Sequence, residues 1–252
     1  MIISPKIIFI TGASSGLGKA LALSYARQGA ILGLAARREN LLKLLAHECK
    51  SLGGIPYVFK LDVRNQAECR STAEKFMEKA GGIDIVYANA GIGGGDAIIN
   101  GDAAAVNNII STNLLGVINT LTPFIPAMKN KRKGILVNIS SAAAFMPLPF
   151  HGGYSASKAA LRMLADSWRI TLSKYNLQLT TICPGFIQTP MIEKNRYRIF
   201  LLQAPEAADK IKRAVERGVK TYVFPWQMAF LIPVLNLIPK RIVRWAVFKF
   251  KN

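Results

Sequence analysis

Tyr154 and Lys158 stand four positions apart in GGYSASKAALRML, a segment with helical periodicity, so a phenol and an ammonium share one helical face. A cation within about 4–6 Å lowers the pKa of an acidic group by roughly 1–3 units. Tyrosine ordinarily ionises at about 10, so this pairing brings the phenol toward the range in which it exchanges protons with a reacting oxygen. The same spacing also suits a solvated lysine beside a half-buried tyrosine. A second group lies near the N-terminus, where TGASSGLGKAL carries Gly12, Gly16 and Gly18. Glycines let a backbone approach a phosphate closely, and a helix N-terminus offers unpaired N–H groups and a positive dipole end. The spacing is not the literal GxGxxG pattern, and a simple tight turn is the competing reading.

The elements that must position these groups are legible as two alternating patterns. KIIFIT (6–11), AILGLAA (30–36), IPYVFKLDV (55–63), DIVYANA (84–90), GILVNIS (134–140), LQLTTICPG (177–185) and TYVF (221–224) have the continuous apolar character of strands buried on both faces. Stretches of helical period lie between them at 17–28, 39–51, 66–79, 102–129, 154–175 and 206–217. Alternation of this kind predicts an α/β chain with a doubly wound parallel sheet (Rossmann fold), a single domain with helices on both faces. Ligands then bind beyond the carboxyl ends of the strands. At the end of the second strand, where a domain preferring NAD carries an acidic residue for the ribose 2′-hydroxyl, the chain reads LAARRE. Ala36 removes that acid, while Arg37 and Arg38 suit a 2′-phosphate through their planar forks; a solvated basic helix start is the alternative.

Composition narrows the function classes. With 51% hydrophobic residues over 252 positions, neither disorder nor a repeat array competes with a folded domain. Cys49, Cys69 and Cys183 are widely spaced and form no CxxC pair, so free thiols in a reducing compartment are expected, and no metal site. His47 and His151 are the only histidines. The first strand begins within a few residues of Met1, leaving no room for a signal peptide, so a cytoplasmic protein is expected, with the inner face of a membrane as a further possibility. The net charge of +19 attracts anions: cofactor phosphates, nucleic acid or anionic lipid. Nearly half of it lies beyond Met191.

In order and spacing, these motifs resemble the short-chain dehydrogenase/reductase family, the roughly 250-residue type with TGxxxGxG and YxxxK motifs, from about residue 5 to 225. TGASSGLG resembles its cofactor loop, with Gly12, Ser14, Ser15, Gly16, Leu17 and Gly18. LDV resembles the segment at adenine, with Asp62 and Val63, and NAG the turn supporting the sheet, with Asn89, Ala90 and Gly91. STNLLG supplies Asn113 at the family's helix-kink asparagine. NISS places Ser141 thirteen residues before Tyr154, the family's interval, and PGFIQT resembles the loop over the nicotinamide, with Pro184, Gly185, Ile187 and Thr189. The resemblance implies NADP(H), preferred over NAD(H), held by these residues together with Arg37, Arg38, Tyr154 and Lys158. It also implies Tyr154 as general acid and base, and Lys158 as the holder of the nicotinamide ribose that depresses the phenol pKa. Ser141 is a second donor to the substrate oxygen, and Asn113 holds a water linking Lys158 to solvent.

Three segments are expected to line the substrate pocket, 91–99, 142–153 and 186–203. They are mostly apolar, which favours a lipophilic carbonyl or alcohol. His151 either contacts substrate or is structural, and Arg196 and Arg198 either reach an acidic group or are solvated. A catalytic domain at 1–224 is followed by an apolar and basic extension at 225–252. The apolar stretch 224–239 is short of the about 20 residues of a spanning helix and is broken by three prolines. Residues 240–251 group Lys240, Arg241, Arg244 and Lys251 on one side of a helical wheel and Ile242, Val243, Ala246 and Phe250 on the other, with Lys249 off the pattern, as in an interfacial anchor for an anionic membrane. An extension covering the pocket or a subunit interface is the alternative. A homodimer or homotetramer packed through the long helices is implied by the resemblance. Against the oxidoreductase stand a catalytically weak cofactor-binding scaffold or redox sensor, and a nucleic-acid binder. No nucleic acid is expected as partner, because the basic surplus sits beside apolar residues without interleaved aromatic and basic motifs.

Overall fold

The computed structural model describes residues 5–96, 98–190 and 200–237. Each of the seven apolar runs is a strand: β1 (Ile7–Thr11), β2 (Ile31–Ala36), β3 (Ile55–Lys60), β4 (Ile85–Ala88), β5 (Gly134–Ile139), β6 (Leu177–Pro184) and β9 (Thr221–Phe224). They form one parallel sheet in the order β3-β2-β1-β4-β5-β6-β9. The order reverses direction beside β1, which makes the gap between β1 and β4 the switch point where ligands bind in such sheets.

Helices return the chain between strands and bury the sheet on both sides. On one side α1 (Gly16–Ala26), α2 (Glu39–Ser51) and α8 (Ala204–Glu216) bring Leu21, Leu42, Leu45 and Ile211 against Ile8, Ile10, Leu32 and Leu34. On the other, α3 (Gln66–Ala80), the rod Ala104–Lys131 and α7 (Gly152–Ser173) bring Phe76, Val117, Leu121, Phe124 and Leu161 against Phe9, Val86 and Leu136. Continuous apolar runs are therefore required at the centre of the sheet, where β1, β4 and β5 are covered on both faces, while the edge strand β3 stays half-exposed. The rod is long and apolar enough to cross a membrane by composition; Val117, Leu121, Phe124 and Met128 on it are buried in this core, while Leu115 stays exposed.

Three features differ from the sequence pattern. The rod is not one regular helix: α4 (Ala104–Ile110) and α5 (Gly116–Leu121) are joined by a π turn at Ser111–Leu115, and a 3-10 turn precedes α6 (Ile125–Lys131). The π turn holds Asn113, fully buried, whose side chain bonds the backbone of Ile92. A separate two-stranded ribbon pairs β7 (Ile187–Gln188) with β8 (Leu202–Gln203). Finally, the start of the proline-broken extension is helix α9 (Trp226–Leu237), with Pro233 inside it.

Candidate active site

A cleft of about 290 Å³ opens at the carboxyl ends of β1, β2, β4, β5 and β6. One end is built by the β1–α1 turn. Gly12 and Gly16 have φ of +66° and +55°, values that disfavour any side chain. A Cβ on Gly12 would lie 2.8 Å from Ala90 Cα, and one on Gly16 would lie 2.9 Å from Thr189 Cγ2. Glycine at these two positions lets the turn pack closely against Asn89–Ala90 and Thr189; a tight glycine turn leading into a helix N-terminus suits a dinucleotide phosphate. Ser14, Ser15 and Leu17 line the same wall. Gly18 does not: it faces inward, where a Cβ would meet Gly12 O at 2.4 Å, and so lets α1 seat on the turn. Asn89 fixes that turn from below, donating through Nδ2 to Thr11 O at 2.9 Å and Gly12 O at 3.3 Å.

Arg37 and Arg38 both line the cleft and are exposed. Arg38 reaches back over the glycine turn, its Nη2 donating to Ser14 Oγ at 2.9 Å and Ser15 Oγ at 2.6 Å. Asp62 and Val63 stand beside them. The Asp62 carboxylate accepts from Arg64 at 2.6 Å, and this bond holds its pKa below the ordinary value. Ala90, Gly91, Pro184, Gly185, Ile187 and Thr189 complete the walls. Each residue expected at a cofactor, Gly18 apart, therefore borders one cleft.

The far end carries Ser141, Tyr154 and Lys158. Lys158 is 5% exposed, and its Nζ donates to Ile139 O at 2.8 Å, at the end of β5. That ammonium lies 5.8 Å from the centre of the Tyr154 ring. Ser140 ties the same strand end to the helix, its Oγ donating to Lys158 O at 2.8 Å. Ser141 Oγ accepts from Ala143 N at 3.1 Å, and Ser141 lines the cleft.

The electrostatics differ from the expected depression of the phenol by Lys158. Burial raises the Tyr154 pKa above its ordinary value, and the opposing pull is the hydrogen bond with Ser141. Burial likewise pushes Lys158 down to about 8. Both effects favour the neutral form of a desolvated group. A proton held on Tyr154 at neutral pH is the state a general acid needs.

Asn113 does not line the cleft. Its Oδ1 accepts from Ile92 N at 2.8 Å, and its Nδ2 donates to Ile92 O at 2.9 Å and Ser157 Oγ at 3.3 Å. It approaches Lys158 only across Gly91, where a Cβ would lie 3.2 Å from Asn113 Oδ1 and 3.5 Å from Lys158 Nζ. The missing side chain leaves a gap between them. Arg196 and Arg198, expected near substrate, lie outside the described residues, as does the basic segment 240–251.

The sequence reading missed Asp96. Its carboxylate oxygens both accept from Gly153 N at 3.1 Å, so it caps the first turn of α7 from a loop 57 residues away. His151, at the cap position itself, supplies no such side-chain bond. The two glycines beside Tyr154 make the approach possible, since a Cβ on Gly152 would lie 2.8 Å from Asp96 Oδ2. Asp96 is thus a positioning residue for the helix that carries Tyr154 and Lys158. An acid after a glycine run was its only trace in the sequence.

The family model described as short chain dehydrogenase matches residues 6–198. An uncharacterized oxidoreductase of Myxococcus xanthus is 35% identical over 237 residues, 94% of each chain. The 11-beta-hydroxysteroid dehydrogenase-like 3 of Arabidopsis thaliana is 33% identical over 251 residues, spanning 94% of this chain and 79% of that one. Among solved structures, an alcohol dehydrogenase from the archaeon Thermococcus sibiricus complexed with 5-hydroxy-NADP superposes with a TM-score of 0.80 at 28% identity, over 88% of this chain and 96% of that one.

Proposed function

The chain belongs to the short-chain dehydrogenase/reductase family and is an NAD(P)-dependent oxidoreductase, and we propose that it interconverts a carbonyl and an alcohol on a lipophilic substrate, with NADP(H) preferred over NAD(H) and Tyr154 as general acid and base. The observation that carries this reading is the shared cleft. A glycine turn and two arginines stand at one end, and Ser141, Tyr154 and Lys158 at the other.

When bound, the nicotinamide supplies or accepts the hydride. The chain's own residues handle the oxygen. A carbonyl reduced at carbon gathers negative charge on oxygen, and donors aimed at that oxygen stabilise the transition state. The Ser141 hydroxyl donates to it, and the Tyr154 phenol transfers its proton to it; in alcohol oxidation the proton moves the other way. Lys158, anchored on Ile139 O, holds the positive side of the site and orients the ribose. Asn113 keeps the gap beside Gly91 open for a water on the path from Lys158 to solvent. Arg37, with Ala36 in place of an acid, selects the 2′-phosphate while Arg38 braces Ser14 and Ser15.

Support for a lipophilic substrate comes from Ile92, Ile139 and Ile187, which line the cleft, and from the steroid-dehydrogenase-like relative. Support for NADP(H) comes from the two arginines and from the NADP analogue named with the archaeal neighbour. Leu115, Met163 and Ile170 are exposed on the long helices and supply the apolar contact for a homodimer or homotetramer.

A panel of ketones and aldehydes, followed by NADPH absorbance, tests the reaction class. Apolar ketones turn over with NADPH, and the Kd for NADH is more than about tenfold weaker, since a charge-assisted bond contributes roughly 1.5–3 kcal/mol. Arg37→Asp reverses the order. Equal cofactor Kd values, or no turnover of any carbonyl, contradict the reading.

A further inference from the structure

Helix α9 is apolar on almost every side: WQMAFLIPVLNL holds only Gln227 and Asn236 as polar residues. A helix of that kind has two faces to cover. Its inner side is covered by the protein, with Ile232 4% exposed and with Met228 Cγ and Pro225 Cδ lying 3.1 Å and 3.3 Å from where a Gly185 Cβ would stand. The outer side is not. Trp226, Ala229, Phe230, Pro233, Val234 and Leu237 are all exposed, and they fall at i, i+3, i+4, i+7, i+8 and i+11, a single helical stripe. Trp226, Phe230 and Leu237 are 74%, 72% and 84% exposed. Aromatic residues offer about 150–250 Å² each, so the stripe has the size, about 300–600 Å², at which exposed apolar patches mark interaction sites.

We infer that this exposed face of α9 docks the protein on an anionic lipid bilayer beside the mouth of the cleft. Charge selects the occupant. Beyond Leu237 the chain carries Lys240, Arg241, Arg244, Lys249 and Lys251 and no acidic residue, on a molecule of net charge +19. Each such cation near an anionic surface strengthens partitioning about fivefold. Five cations within fourteen residues of Leu237 in sequence favour an anionic surface over a like-charged second copy of this chain. Geometry selects the mode. Twelve residues with Pro233 among them are too few to span a bilayer, which takes about 20, so the helix lies in the interface with its aromatic residues at headgroup depth. Because the inner side of α9 sits on Gly185, which lines the cleft, docking sets the bilayer next to the site. Delivery of substrate from the bilayer follows only if the lipophilic-substrate reading holds; the docking itself does not depend on it.

The test uses the full-length protein with phosphatidylglycerol and with phosphatidylcholine vesicles. The protein sediments with the anionic vesicles, less so as salt rises. Phe230→Ser with Leu237→Ser, which leaves every basic residue in place, weakens partitioning about tenfold or more. A protein with Trp226 as its sole tryptophan (Trp168→Phe, Trp245→Phe) shows blue-shifted emission on these vesicles, quenched by brominated acyl chains. The proposal is overturned if full-length protein ignores anionic vesicles, if the double variant binds as tightly as the parent, or if Trp226 emission stays that of a water-exposed indole. A change of oligomeric state in the double variant, with no vesicle binding by the parent, assigns the face to a second copy and overturns it equally.

Discussion

At Lys158 burial and function pull against each other, because the ammonium is held in a place that disfavours its charge. Its pKa is pushed down to about 8 from an ordinary 10.5. In the unfolded chain the amine regains its ordinary affinity for protons. Between those two pH values the unfolded state binds more protons than the native one, so this residue makes the native state more stable as pH rises through that window, and the contribution is lost as pH falls through about 8. The buried thiols act in the opposite sense, since burial raises Cys49, Cys69 and Cys183 to about 11, 12 and 11. Cys49 and Cys69 are common to the parent and to Lys158→Met and cancel, whereas the Lys158 charge pulls the Cys183 thiol down, so both proteins carry Cys183→Ser and the difference between them isolates the lysine. In urea unfolding of the cofactor-free proteins, the parent gains on the variant by about 1–2 kcal/mol when pH is raised from about 7.5 to about 9.5. A pH-independent difference means that Lys158 is not desolvated.

Among the elements, α7 carries Tyr154 and Lys158 and depends on a residue outside it. Asp96 places a carboxylate on Gly153 N at the N-terminal end of the helix, where negative charge meets unpaired donors and the positive dipole end. Asp96→Ala lowers stability by about 1–2 kcal/mol, the range for loss of a helix cap, and lowers kcat more than it weakens NADPH binding, because the tyrosine end of α7 loosens while the glycine turn is untouched. Asp96→Asn keeps the acceptor and recovers most of both. Unfolding and steady-state kinetics on the two variants check this; equal losses in kcat and cofactor affinity contradict a positioning role. The same contact marks the limit of sequence reading. IIFIT and GILVNI are legible as strands because burial on both faces demands unbroken apolar runs. The first turn of α7 is not, because its cap comes from a distant loop. The π turn is likewise hidden: STNLL has an ordinary helical composition, and its geometry follows from the bonds Asn113 makes to Ile92.

Across the whole molecule, the two ends of the cleft are built by different parts of the sheet. The turn after β1 and the arginines after β2 hold one end of the cleft, and the end of β5 with α7 holds the other. This division is legible in the sequence wherever a motif sits at a strand end: Gly12, Gly16, Arg37, Asn89, Ser141 and Tyr154 all meet in one cleft although they span most of the chain. What escapes is the part set by long-range packing, such as Gly18 turned inward, Asn113 behind Gly91, and α9 seated on Gly185. The separation makes the central claim testable in one comparison: turnover of an apolar ketone and equilibrium binding of NADPH, measured side by side for the parent and Tyr154→Phe. General acid–base groups contribute about 10²–10⁴-fold, so kcat falls by that factor while the NADPH Kd stays within about twofold, a change worth less than about 0.5 kcal/mol. A variant that turns over at the parent's rate, or one that loses turnover only because NADPH no longer binds, contradicts the assignment of the proton to Tyr154.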